Sequence, residues 1–156
     1  MAIHIVLVEP EIPPNTGNIA RSCAATDSVL HLVKPLGFSV DDRQVRRAGL
    51  DYWPFVKLFM HESLDEFLSE YAGRAMYFSS TKGKITYTDI AFKDEDMIVF
   101  GRETAGLPRD LIEKNKERSL RIPMAAKTEL RSLNLSNSVN IVLFEALRQL
   151  GFPGLK

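Results

Sequence analysis

The sequence predicts an α/β domain built around a mostly parallel β-sheet with flanking helices. Short aliphatic and β-branched runs recur along the chain, and stretches with helical periodicity separate them. The connections between these elements are short, and no internal repeat or low-complexity tract interrupts them. A chain of 156 residues suits one such core, so we expect a single domain over residues 1–156.

The predicted strands begin near the N-terminus with a continuous apolar run that is typical of a buried parallel strand. This run has no basic leader and no small-residue cleavage site, so we interpret it as a strand rather than a signal peptide. No apolar run approaches the roughly 18 residues that span a bilayer. These features predict a cytoplasmic protein without a membrane partner. The predicted strands are residues 3–8, 29–33, 55–60, 75–79, 97–100 and 120–122.

The helices between these strands are predicted from capping signals and proline positions. Residues 9–17 contain three prolines, which fix φ and remove donors, so we predict an irregular segment there and a helix over 18–25. Ser63 and Glu66 have capping-box spacing. Pro108 stands where the first position of a helix would be. The further predicted helices are residues 39–48, with an acidic first turn and a basic last turn, 63–71 and 108–115.

The last helix follows a polar loop and has two apolar faces. The loop carries Ser132, Asn134, Ser136 and Asn137, side chains that can cap a helix. One face is expected to pack on the core; it consists of Val139, Val142, Leu143, Ala146, Leu147 and Leu150. Ile141 and Phe144 lie on the opposite side. Because that second patch needs another surface to cover it, we predict a subunit contact there.

Composition and missing motifs exclude several function classes. Twenty basic residues balance twenty acidic ones, so binding of nucleic acid would require basic groups that are gathered locally or pooled between subunits. The chain has no G-x-G-x-x-G, no P-loop motif and no G-x-S-x-G, which argues against a dinucleotide oxidoreductase, a P-loop kinase and an α/β hydrolase. Cys23 is the only cysteine and is interpreted as a core residue. His4, His31 and His61 lack metal-ligand spacing and are interpreted as packed or surface residues.

Three loops that follow predicted strands carry the residues that a ligand site needs. In the first, residues 15–21, Gly17 allows a tight entry into a helix whose free N–H groups face an anion. Arg21 lies one turn further along and can bind a phosphate through its forked guanidinium. An ordinary loop with an exposed arginine explains this segment equally well.

The second and third loops also combine small and polar residues. Residues 101–108 contain two glycines at the C-terminal end of a strand, the usual ligand side of an open α/β sheet. The third loop joins residues 122–124 to the polar stretch 132–137, where small polar groups beside an apolar wall can hold an adenine. A simple strand-to-helix turn is the alternative for the second loop.

A basic surface is interleaved with aromatic residues, which suits a structured RNA better than a duplex. Three arginines share one helix face through their i, i+3, i+4 spacing. Tyr52 and Trp53 follow them closely in sequence. The basic residues are Arg43, Arg46, Arg47, Lys82 and Lys84. A solvated helix face is the alternative interpretation of this surface.

Taken together, these segments resemble the motifs of the SPOUT methyltransferases, in the SpoU-like branch. The resemblance rests on Asn15-x-Gly-Asn-x-x-Arg21, Phe100-Gly-Arg-Glu-Thr-x-Gly106, and Ile122-Pro-Met with Ser132-Leu-Asn-Leu-Ser-Asn137. It extends over nearly the whole chain. Residues 9–18 and 41–52 are similar to the minimal, extension-free subgroup, the tRNA wobble-position (cytidine/uridine) 2′-O-methyltransferases.

The resemblance implies a fold, a cofactor and an assembly. The fold would contain a deep C-terminal trefoil knot, which sequence patterns alone would not suggest. The knot would form the pocket for S-adenosyl-L-methionine, with S-adenosyl-L-homocysteine as product and no metal. The protein would be a homodimer through its final helix, in agreement with the Ile141 and Phe144 patch.

The resemblance also implies roles for individual residues. Arg21 matches the arginine proposed as the catalytic group, and Asn15 belongs to the same motif on the RNA side. The residues expected to bind RNA, by the charge pattern described above rather than by the resemblance, are Arg43, Arg46 and Arg47. The expected cofactor-site residues are Ser79, Gly101, Ile122, Ser132, Glu103, Gly106 and Asn134.

The implied activity is 2′-O-methylation of the ribose at the tRNA wobble position, on cytidine or modified uridine. Two alternatives stay open at this point. One is a 2′-O-methyltransferase acting on ribosomal RNA, and the other is a noncatalytic RNA-binding α/β module that retained the loops. Binding of the cofactor separates an enzyme from a mere binding module.

Overall fold

The computed structural model describes residues 2–127 and 132–156, and within them a seven-stranded sheet whose strand pairs are all parallel. The strands are β1 His4–Val8, β2 Val29–Val33, β3 Lys57–His61, β4 Met76–Ser79, β5 Ile85–Thr86, β6 Met97–Phe100 and β7 Ser119–Arg121. The helices are α1 Pro13–Ala25, α2 Arg43–Gly49, α3 Leu64–Glu70, α4 Arg109–Lys114 and α5 Leu135–Gln149. None of the helices in these described parts has the length and apolar character needed to cross a membrane.

The sheet has the order β3-β2-β1-β6-β4-β7-β5, so the first strand of the chain lies near its middle. Val6 of β1 pairs with His31 of β2 on one side and with Val99 of β6 on the other. The prediction of an α/β domain with a mostly parallel sheet is therefore confirmed. The trefoil knot and the single domain over residues 1–156 stay predictions.

Both faces of the sheet are covered by helices, which is why its central strands are continuous apolar runs. One face packs against α1 and α5, and the other packs against α3 and α4. The predicted core stripe of α5 is buried from Val139 to Leu147, and Leu150 is half-buried. Ile141 and Phe144 are 36% and 45% exposed, as the amphipathic pattern predicts.

The predicted start of the first helix was wrong, because α1 begins at Pro13 rather than at residue 18. Pro13 and Pro14 occupy the first two helical positions. At these positions an N–H group would have no intrahelical acceptor, so proline costs no hydrogen bond, and its fixed φ already suits a helix. Gly17 is consequently buried inside α1 rather than at a tight entry to it, and the helix N-terminus lies one turn earlier than we predicted.

Other element boundaries differ from prediction by a few residues. Helix α2 begins at Arg43, so its acids precede the first turn, where the Asp42 carboxylate accepts a hydrogen bond of 2.8 Å from the N–H of Gln44. Residues Leu50–Phe55 form a 3₁₀ turn, which delays β3 to Lys57. The two-residue strand β5 was not predicted because it is too short to show a period. Strand β7 and helix α4 each begin one residue from the predicted position.

Candidate active site

The three predicted loops meet at one edge of the sheet, where they enclose a cavity of about 1420 Å³. They meet there because the carboxyl ends of parallel strands lie at the same edge of a sheet. The start of α1 forms one wall, the loop after β6 a second wall, and the segment before α5 a third. The lining includes Asn15, residues 79–82, residues 100–109 and residues 132–135.

A reciprocal carboxylate clamp joins the first loop to the second. The Glu103 carboxylate accepts hydrogen bonds from the backbone N–H groups of Glu11 and Ile12, both at 2.9 Å, and from the side-chain amide of Asn15 at 3.1 Å. In return, the Glu11 carboxylate accepts from the hydroxyl of Thr104 at 2.7 Å and from its N–H at 3.1 Å. These two bonds from Thr104 lower the pKa of Glu11. The backbone N–H groups just before α1 are thus bonded to a protein carboxylate, while residues 18–21, whose N–H groups we expected to face a ligand anion, lie inside α1.

The same network continues from Asn15 into the last helix. The Asn15 side-chain oxygen accepts a hydrogen bond of 3.1 Å from the amide of Asn134. The Asn134 oxygen caps α5 by accepting from the N–H of Ser136 at 2.9 Å and from its hydroxyl at 2.6 Å. Asn15 is only 5% exposed. Its side chain therefore links the three loops, and we infer that it positions them.

Replacing Glu103 with glutamine is expected to lower the free energy of unfolding by about 1–2 kcal/mol, because the new NH₂ group faces protein donors instead of accepting from them. Chemical denaturation measures this loss. Glu113→Gln is the matched control, since that carboxylate forms an exposed ion pair with Lys116 at 3.0 Å. Its loss should stay below roughly 0.5 kcal/mol. Equal stabilities of the two variants would contradict the clamp.

The second loop turns back on itself so tightly that its first residue has no room for a side chain. A Cβ on Gly101 would lie 2.1 Å from the carbonyl carbon of Gly106 and 2.2 Å from the backbone nitrogen of Leu107. Gly106 has φ +69°, and its N–H donates to the carbonyl of Arg102 at 2.8 Å. Glycine is therefore required at both positions, at Gly101 for close approach and at Gly106 for the left-handed backbone.

Most of the predicted cofactor-site residues line this cavity. They are Ser79, Gly101, Glu103, Gly106, Ser132 and Asn134. Among the described residues, the lining does not include Ile122 or Arg21. Ile122 is half-buried and packs against the core beneath α1 and α5. That Ile122 contacts a cofactor stays a prediction.

Arg21 lies outside the cavity of its own chain because of the geometry of α1. It follows Asn15 by six residues, which places it about 9 Å further along the axis and roughly 120° around it. The Arg21 guanidinium lies 5.1 Å from the ring centroid of Tyr52. The exposed Arg21 side chain thus faces the 3₁₀ turn rather than the three loops.

The predicted RNA-binding arginines of α2 differ in what they contact. Arg46 bonds the Asp41 carboxylate at 2.9 Å, and its guanidinium lies 5.0 Å from the ring of Trp53. Arg43 and Arg47 are exposed on the same helix. Arg46 therefore holds the start of α2 against the 3₁₀ turn, whereas the other two arginines present their charge to solvent.

Sequence reasoning missed most of the basic rim, which we define as the cations that line the cavity: Lys82, Lys84, Arg102, Arg109 and Lys116. Lys84 pairs with Glu117 at 2.7 Å, and this bond lowers the pKa of Glu117. Within residues 2–127 and 132–156, no ion pair occupies Lys82, Arg102 or Arg109. The rim cations come from separate segments of the sequence, so no local sequence pattern predicts the rim. Only the fold brings them together.

Cys23 and the histidines are placed as we predicted, away from the cavity. Cys23 is completely buried, and burial raises the pKa of its thiol to about 12. Among the described residues, no cluster of His, Cys, Asp or Glu has the arrangement of a metal site. The interpretation of Cys23 as a core residue is confirmed.

Comparison with known proteins identifies the family. The model of the SpoU rRNA Methylase family matches residues 2–144, which is most of the chain. The chain belongs to this family. The family resemblance predicted from the three motifs is therefore confirmed, and each of the three motifs contributes residues to the lining of the cavity.

This SpoU family member matches some relatives over nearly their whole length and others over little more than half of it. A tRNA (cytidine(34)-2′-O)-methyltransferase of Methylovorus glucosotrophus is 50% identical over 151 residues, 96% of this chain and 97% of that protein. A solved structure from work on the 2-OH methylation of C/U34 on tRNA is 40% identical, with a TM-score of 0.91 and coverage of 96% and 97% of the two chains. An AdoMet-bound rRNA methyltransferase from Sinorhizobium meliloti is 26% identical, with a TM-score of 0.84; the match covers 96% of this chain and 57% of that one.

Proposed function

We propose that this protein transfers the methyl group of S-adenosyl-L-methionine to the ribose 2′-hydroxyl of the tRNA wobble nucleotide, a cytidine or a modified uridine. The observation that carries the proposal is that residues of all three family motifs line one cavity: Asn15, the turn from Phe100 to Gly106, and the segment from Ser132 to Leu135. Full-length similarity to a tRNA (cytidine(34)-2′-O)-methyltransferase supports the choice of substrate.

The cavity suits S-adenosyl-L-methionine, a ligand with an adenine, a ribose and a charged amino-acid tail. Main-chain groups can approach the planar adenine closely, because the side chains at Ser79, Gly101 and Ser132 are small or absent. Phe100 and Leu107 add apolar surface to the same walls. When bound, the cofactor would supply an electrophilic methyl group on its sulfonium.

The chain's own residues would orient the substrate and stabilise charge. The ribose hydroxyl is weakly acidic, so its proton must pass to an acceptor, a phosphate oxygen of the RNA or water, as the methyl group is transferred. A guanidinium stays protonated, which makes Arg21 a poor base. We therefore assign Arg21 to binding the adjacent phosphate and stabilising developing negative charge, while placement of the hydroxyl in line supplies much of the rate.

We further propose a homodimer through α5 in which Arg21 acts at the cavity of the partner subunit. Arg21 faces away from its own cavity, so a second copy offers the simplest way to bring it to a reacting ribose. Exposed Ile141 and Phe144 provide an apolar surface for that copy. Ile12 and Leu133 line the cavity and are 43% and 41% exposed, so they add exposed apolar surface at the site itself.

Incubation with methyl-labelled S-adenosyl-L-methionine and a mixture of unmodified tRNA and ribosomal RNA tests the substrate. We expect label in tRNA, at the 2′-oxygen of the first anticodon nucleotide. Label confined to ribosomal RNA would favour the family activity on that substrate, as in the S. meliloti relative. RNA binding without any transferred label would indicate that the protein is a noncatalytic binding module.

The basic rim is expected to bind phosphates that flank the target nucleotide. Lys82→Ala and Arg109→Ala should each weaken tRNA binding about 3- to 10-fold. Each should also reduce the slope of log K against log salt concentration by the amount expected for about one lost phosphate contact. Affinity for the cofactor should not change. Filter binding at several salt concentrations measures the effect. Lys57→Ala is the control, because this exposed lysine lies on the far edge strand β3; an equal effect there would contradict the assignment.

A further inference from the structure

Glu9 combines a left-handed backbone with a carboxylate that lines the cavity. It directly follows the central strand β1, and its φ of +52° lies in a region that L-residues other than glycine rarely adopt. Its half-buried side chain belongs to the lining of the cavity. Because this conformation costs stability and lies at the proposed active site, the side chain is a candidate for a functional role.

The fold holds residue 9 in this conformation through its backbone alone. The N–H of Glu9 donates to the carbonyl of Val33 at 2.9 Å, and the carbonyl of Pro10 accepts from the N–H of Gly37 at 2.9 Å. The chain is thus fixed on both sides of the left-handed residue. Glycine would keep the same backbone bonds without the strain. The fold therefore requires the conformation of residue 9 but not its carboxylate.

Two other acidic residues in the described parts of the chain have a left-handed backbone, and both use their carboxylates within the fold. Asp27, with φ +56°, pairs with Lys57 at 2.8 Å. Glu95, with φ +68°, bonds Nε2 of His4 at 2.9 Å. In those same parts of the chain, no ion pair occupies Glu9. Its carboxylate is therefore placed for a ligand rather than for the fold.

The other two carboxylates of the cavity lining are bonded to groups of the protein. Glu103 accepts from three donors at the start of α1. Glu113 pairs with Lys116 at 3.0 Å. Among the described residues of the lining, Glu9 is thus the acidic group whose charge is left for a bound molecule.

We propose that the Glu9 carboxylate binds the α-ammonium group of S-adenosyl-L-methionine, an inference that rests on the proposed function. Leu7 of β1 pairs with Phe100 of β6, so Glu9 lies beside the start of the second loop. That loop forms a wall of the cavity from Gly101 onward. An ammonium group has three donors, and its hydrogen bond to a carboxylate is strengthened by both charges.

The charges of the cavity favour the cofactor over RNA as the partner of Glu9. RNA offers phosphates and neutral bases, which suit the basic rim and not a carboxylate. S-adenosyl-L-methionine carries two cationic groups, a sulfonium and an ammonium, and the basic rim repels both. A carboxylate in the lining offsets that repulsion and attracts the cationic part of the ligand.

The ammonium suits a carboxylate better than the sulfonium does. A sulfonium has no N–H or O–H group to donate. Methyl transfer also removes the sulfonium charge, so a carboxylate beside it would stabilise the starting state more than the transition state and slow the reaction. The ammonium keeps its charge throughout the reaction. Binding it fixes the amino-acid tail without opposing methyl transfer.

Binding of two related ligands to the intact protein tests the proposal. S-adenosyl-L-homocysteine carries the ammonium group, whereas 5′-methylthioadenosine has the same adenosine and thioether without the amino-acid tail. Glu9→Gln should weaken binding of S-adenosyl-L-homocysteine about 10-fold and change the affinity for 5′-methylthioadenosine less than about 2-fold. Isothermal titration calorimetry measures both affinities. Equal weakening of both ligands, or of neither, would overturn the proposal.

Glu95→Gln is the matched control for these titrations. It makes the same substitution at another left-handed glutamate, which precedes β6 at the sheet edge opposite the cavity. Its affinities should equal those of the wild type, and an effect as large as that of Glu9→Gln would overturn the proposal. Failure of the wild type to bind either ligand would reject the proposed function as well. Wild-type binding that Glu9→Gln leaves unchanged would reject only the role of Glu9.

Glu9→Gly separates a role in binding from a role in the fold. Because glycine relieves the left-handed backbone, the melting temperature should equal the wild-type value or rise by up to about 3 °C. The affinity for S-adenosyl-L-homocysteine should nevertheless fall as in Glu9→Gln. Thermal unfolding and the same titration measure the two effects. A melting temperature more than about 3 °C below that of the wild type would show that the side chain supports the fold and would overturn the proposal.

Discussion

Replacing Arg21 with alanine is expected to lower the single-turnover rate of methyl transfer at least ~10³-fold, a loss of about 4 kcal/mol in transition-state stabilisation. The affinity for S-adenosyl-L-methionine should stay unchanged, because Arg21 does not line the cavity of its chain. A rapid-quench assay with labelled cofactor measures the rate, and calorimetry measures the affinity. Arg118→Ala is the matched control, since its guanidinium makes a similar contact at 5.5 Å from the Tyr77 ring.

Mixing two inactive variants distinguishes action within one chain from action across a dimer. Arg21→Ala keeps its cavity, and Ser132→Trp blocks the cavity from an exposed position while keeping Arg21. If Arg21 acts at the partner's cavity, a mixed dimer contains one complete site, and mixing after mild dissociation restores activity. A mixture as inactive as its components would place Arg21 and the cofactor in the same chain. Full activity of Arg21→Ala alone would reject the role of this arginine.

Gly101→Ala is expected to weaken S-adenosyl-L-methionine binding ~100-fold, which corresponds to about 3 kcal/mol. The new Cβ would lie 2.1 Å from backbone at Gly106, so the loop must open by more than an ångström. That movement shifts the cavity wall and pulls Glu103 away from its three donors. Calorimetric titration with the cofactor measures the loss, and circular dichroism checks the fold.

Gly151→Ala is the control for the glycine substitution. Gly151 has φ +78° with no atom within 4 Å of an added Cβ. Alanine there should cost about 1 kcal/mol of stability through backbone strain and leave cofactor affinity unchanged. If Gly101→Ala bound the cofactor like the wild type, the tight turn of the second loop would not shape the site.

Much of the fold could be predicted because short-range patterns report burial directly. The continuous apolar runs in β1 and β6 are buried on both faces, and the stripe from Val139 to Leu147 packs on the core as its period requires. The capping box at Ser63 is also confirmed, since its hydroxyl accepts from the N–H of Glu66 at 3.1 Å. These features depend only on residues a few positions apart.

The remaining features depend on which segments the fold brings together. Pro13 and Pro14 were interpreted as breakers because proline in the middle and at the start of a helix look alike in sequence. The orientation of Arg21 follows from its position on α1, six residues after Asn15, so it could not be predicted without the true start of that helix. His4, His31 and His61 contact one another because they are diagonal neighbours on three strands, a relation that no single strand's pattern contains.

A crystal structure of the protein with S-adenosyl-L-homocysteine tests the central claim most directly. We predict that the product binds in the cavity, between Ser79, the turn from Gly101 to Gly106, and the segment that begins at Ser132. We also predict that Arg21 of a second subunit, and not of the same chain, lies nearest its sulfur. Binding at any other part of the surface would contradict the account of how these three loops produce the activity.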